Sequence, residues 1–68
     1  MNIERLVGMV NDFAAFFAAD PDPDTVAEQV AYHLRHFWEP RMRNEIRRRL
    51  EQGGAGLSPV ARHGVVRL

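Results

Sequence analysis

Three groups of residues in this chain could do chemistry: histidines at helical spacing, arginines interleaved with aromatics, and short acidic or glycine-rich runs. His33 and His36 stand three positions apart, a spacing that puts both rings on one side of a helix. A zinc site needs a third and usually a fourth ligand. The remaining candidates, His63 and Glu39, are not tied to the pair by any spacing, so surface or interface histidines are the better reading. Ser58 is the single serine and Thr25 the single threonine, and both stand where helices begin rather than beside a base. Gly53-Gly54-Ala55-Gly56 lacks the lysine and the preceding strand of a phosphate-cradling loop. Asp20-Pro21-Asp22-Pro23-Asp24 lacks the central glycine and terminal glutamate of a calcium loop, and reads as helix capping. Catalysis by this chain alone is not supported.

The arginines carry more. His33-Leu34-Arg35-His36-Phe37-Trp38-Glu39-Pro40-Arg41-Met42-Arg43 holds the single Trp and two of the three His. A basic helix beside aromatics can grip phosphate and stack bases. The pI near 6.8 and the acidic N-terminal half argue against nucleic acid. Trp and Arg are also the residues enriched at interface hot spots. Phe37 and Trp38, closing one helix, and Arg41, Arg43 and Arg47, on the next, are therefore candidates for contact with a protein partner.

Four helices must position these residues. Asn2 is a suitable N-cap, and apolar residues recur at 3, 6, 7, 10, 13, 14 and 17, predicting a helix over about 3–19 with Phe16 off its stripe. Asp22-Pro23 fits the N-cap and first turn of a second helix over about 23–38. Its stripe is Val26, Val30, Leu34 and Phe37, which leaves Tyr32, His33 and His36 outside the core. Pro40 stops that helix and opens a third over about 41–52, with Met42, Ile46 and Leu50 facing inward. On its outer side Glu45 can pair with Arg41 and Arg49, Arg43 with Glu39, and Arg47 with Glu51. Gly53-Gly54 is a stop, and Ser58-Pro59 can start a short fourth helix over about 59–67. Few large apolar residues and Gly64 predict that this last helix is weakly anchored and mobile alone. The expected fold is all-α: a small three-helix, bundle-like single domain over 1–68 with that short fourth helix appended.

Composition bounds the rest. Sixty-eight residues make one domain, and a chain of this size buries only roughly 60% of its unfolded surface, so it is expected to gain from a partner. There is no cysteine, which excludes disulfides and thiolate metal sites. No apolar run is long enough to span a membrane, and Glu4 and Asp12 break any secretory-signal pattern, so a cytoplasmic protein is expected. The net charge of 0 hides an asymmetry: residues 1–28 carry six acids against Arg5, and residues 29–50 carry six Arg against Glu39 and Glu45. All nine basic residues are Arg, the side chain suited to bidentate carboxylate and phosphate contacts.

The run His33-Leu34-Arg35-x-Phe37-Trp38-x-Pro40-Arg41-Met42-Arg43, followed by Gly53-Gly54-x-Gly56-Leu57-Ser58-Pro59, resembles the small delta subunit of NAD-dependent, molybdenum-containing formate dehydrogenases. The opening Leu6-Val7-x-Met9-x-Asn11 and the Phe16-Phe17 pair before a Pro/Asp turn are similar to that family too. The resemblance implies a non-catalytic accessory subunit of a cytoplasmic complex that oxidises formate and reduces NAD. It implies that the molybdenum cofactor, iron–sulfur clusters, FMN and NAD belong to partner subunits, with no cofactor in this chain. The implied partner is the large catalytic molybdenum subunit, with no nucleic-acid or membrane partner. The matched positions, Leu57 among them, become interface candidates. Two alternatives stand beside this: an anion-binding module for nucleic acid or the molybdenum cofactor, using the Arg-rich third helix, and a helical homo-oligomer when the chain is isolated.

Overall fold

The computed structural model describes residues 2–68. Helix α1 spans Ile3–Phe17, α2 Pro23–Phe37, α3 Pro40–Glu51 and α4 Pro59–Val66, with no strand among the described residues. The all-α expectation holds, and each helix lies within a residue or two of its predicted bounds.

The helix starts follow from residue type. Asn2 Oδ1 accepts from the Glu4 N–H at 2.9 Å, Asp22 Oδ1 from the Asp24 N–H at 3.1 Å, and Ser58 Oγ from the Ala61 N–H at 3.2 Å. Pro23, Pro40 and Pro59 occupy first helical positions, where no N–H is needed. Helix α3 ends in paired bonds from Gly53 N–H to Leu50 O at 3.1 Å and Gly54 N–H to Arg49 O at 2.8 Å. That closure needs a left-handed backbone, and Gly53 supplies it with φ of 111°.

Leu34, Ile46, Val10 and Val30 are the largest fully buried side chains, contributed by three helices. The second-helix stripe differs from expectation at its end. Phe37, placed in the core by periodicity, is 72% exposed, while Trp38 is 5% exposed. The helix stops at Phe37, and Trp38 takes an extended backbone (φ −94°, ψ 144°). Trp38, four residues after Leu34, continues the line of Val30 and Leu34 and joins them in the buried cluster.

The anchoring of α4 is firmer than its composition suggested. It packs across α2 and also touches α1 and α3. Ala61, Gly64 and Val65 are buried, and Gly64 lies against Val30 with no room for a Cβ. Small residues permit that approach, so the features read as weakness are the contact itself. Polar latches close the ends. Asn11 donates to Gly56 O and accepts from Ser58 N–H, both at 2.9 Å, pinning the α3–α4 loop to α1. Arg67 reaches Glu28 at 2.9 Å and Asp24 at 3.0 Å on α2.

Candidate docking surface

The arginines expected to face a partner are mostly spent inside the chain. Arg43, from the first turn of α3, donates to Leu34 O at 3.5 Å, Arg35 O at 3.4 Å and Trp38 O. These carbonyls lie where α2 ends, Leu34 O also accepting the Trp38 N–H at 3.2 Å, and a guanidinium there adds a donor and suits the negative end of the helix dipole. The same device recurs. Arg62 donates to Gly53 O at 2.9 Å and Gly54 O at 3.1 Å behind α3. Arg47 donates to Leu68 O at 2.9 Å and Arg35 to Arg67 O at 3.2 Å behind α4. Arg49 pairs with Glu4 and donates to Ala55 O, Arg48 lies 3.7 Å from Glu45, and Arg67 is engaged as above. The predicted Glu39–Arg43 and Arg47–Glu51 pairs, and Glu45 with Arg41 or Arg49, are not among the ion pairs formed: Arg43, Arg47 and Arg49 reach backbone carbonyls and Glu4 instead, and Glu45 lies beside Arg48. Among the described residues Arg5 and Arg41 alone of the nine arginines make no such bond, and both are exposed.

Of the six predicted contact residues, Phe37 and Arg41 face solvent. Trp38 and Leu57, 5% and 6% exposed, belong to the core cluster with Leu34 and Ile46. Burial makes them supports of the fold rather than presented surface. Arg43 and Arg47 cap carbonyls.

A different feature lies beside Phe37: an aromatic strip crossing α1 and α2. Phe16 is 78% exposed and Tyr32 57%. Phe16 meets Phe17 edge-on, with centroids 5.4 Å apart at 77°. The His33 ring sits 4.0 Å from Phe13, 4.8 Å from Phe37 and 6.4 Å from Phe17, and Tyr32 sits 4.0 Å from His36. His33 and His36 therefore pack as ring partners. Among the described residues no three His, Asp or Glu side chains converge to hold a metal ion. Without a cysteine the chain offers an iron–sulfur cluster no thiolate, so its residues do not fit that group. Between Phe17, Gln29, Tyr32, His33 and Phe37 lies an open groove of about 630 Å³, rimmed by Asp24 and Glu28. Sequence reading missed this strip because the periodic stripe claimed Phe37. The available signal was that Phe16, Tyr32, His33 and His36 all fell off the core stripes.

One ionisable group is clearly perturbed. The Thr25 hydroxyl, donating to Asp22 Oδ2 at 2.9 Å, and then the Asp24 N–H hold the Asp22 carboxyl below its usual range. This is a capping carboxylate, not a catalytic one. No helix among the described residues is long and apolar enough to cross a membrane.

The model of a protein family described as the NADH-dependent formate dehydrogenase delta subunit, FdsD, matches residues 5–65. No curated protein and no solved structure matches the chain.

Proposed function

This chain belongs to the NADH-dependent formate dehydrogenase delta subunit family, and we propose that it serves such an enzyme as a non-catalytic accessory subunit in the cytoplasm. It docks on the large molybdenum-bearing catalytic subunit and supports that subunit's assembly, stability or cofactor insertion. The molybdenum cofactor, iron–sulfur clusters, FMN and NAD belong to the partner subunits.

The observation that carries this reading is the contrast between the two halves of the site. The polar side chains with chemical potential are spent holding the fold: arginines cap carbonyls and histidines pack on rings. What is left presented is an ordered set of large aromatics, Phe16, Tyr32 and Phe37. Such a surface suits contact with a protein and is unusual on a small monomer. An anion-binding role is not favoured, because among the arginines of α3 Arg43, Arg47 and Arg49 are already bonded within the chain and Arg48 lies beside Glu45, which leaves Arg41 alone.

Co-expression of the tagged chain with the other formate dehydrogenase subunits tests the proposal. The catalytic subunit is expected to co-purify, and complexes made without the chain are expected to show less formate-dependent NAD reduction or a lower molybdenum content. Failure to co-purify, together with unchanged activity and metal content in its absence, would contradict it.

A further inference from the structure

We draw no further inference here: the strongest candidate, the exposed aromatic strip of Phe16, Tyr32 and Phe37 with its groove across α1 and α2, carries none, because the groove's carboxylates Asp24 and Glu28 are already matched by Arg35 and Arg67 and nothing in the structure shows what covers it.

Discussion

Arg43 and Phe37 exchange the roles that their positions suggested. Phe37 shares the helical register of the core and yet faces solvent, and Arg43 was a candidate for contact outside the chain and yet is bound within it. The N-caps were legible because they are local: Asn2, Asp22 and Ser58 each bond within three residues. The arginine caps were not, because Arg62 to Gly53 O and Arg47 to Leu68 O depend on how the helices come together. Arg43→Ala should therefore destabilise the isolated chain by about 1.5 kcal/mol, the low end for bonds to a charged donor. Chemical denaturation followed by helical signal measures it. Asp22 makes a prediction about acid. Its carboxyl is held low chiefly by the Thr25 hydroxyl, so the folded state binds its proton less readily than the unfolded chain. The cap's contribution is present above the usual carboxylate range and is lost as pH falls through the lowered value. On acidification below about pH 4, Asp22→Asn should lose less thermal stability than the unaltered chain, as thermal melts across that range would record.

Helix α4 shows where pattern reading fails at the level of an element. Helices α1 to α3 announce themselves through large apolar residues at helical spacing, a signal set by burial. The contact of α4 with α2 is made instead where Gly64 meets Val30, a residue that buries little area of its own and lets the backbones approach. A hydrophobicity pattern scores such residues as weak. Gly64→Ala separates the two views. Helix propensity alone would make it stabilising by about 1 kcal/mol. Packing says otherwise: the new Cβ would stand 2.6 Å from Val30 Cβ, both on rigid backbone. A destabilisation of about 1–3 kcal/mol is expected from overpacking. Val30→Ala in the same chain should recover part of it, and a double-mutant cycle reads that coupling directly.

Taken whole, the chain has a radius of gyration of 10.6 Å, close to the roughly 11 Å expected of a packed domain its size. Its helices pack as tightly as those of a domain that folds alone, although a core this small supplies little reserve; about 3–5 kcal/mol of net stability is usual. Trp38→Ala removes a buried indole and should cost about 3–5 kcal/mol, enough to unfold much of the isolated protein. Phe37→Ser should leave the melting temperature nearly unchanged, since the ring is 72% exposed. Calorimetry on the two variants distinguishes the residue that holds the fold from the one that is presented. Their neighbourhood in sequence made this corner legible as important. Both lie within a helical step of Leu34, so spacing alone did not separate the buried Trp38 from the exposed Phe37.

The central claim is that this is a prefolded subunit whose task is to dock through its α1–α2 face. Hydrogen–deuterium exchange on the chain, free and within the co-purified enzyme, tests it most directly. The account predicts slow exchange in the core of α1, α2 and α4 in both states, with added protection in the complex concentrated at residues 13–17 and 29–37. Uniform fast exchange in the free chain, or added protection confined to the outer face of α3, would contradict it.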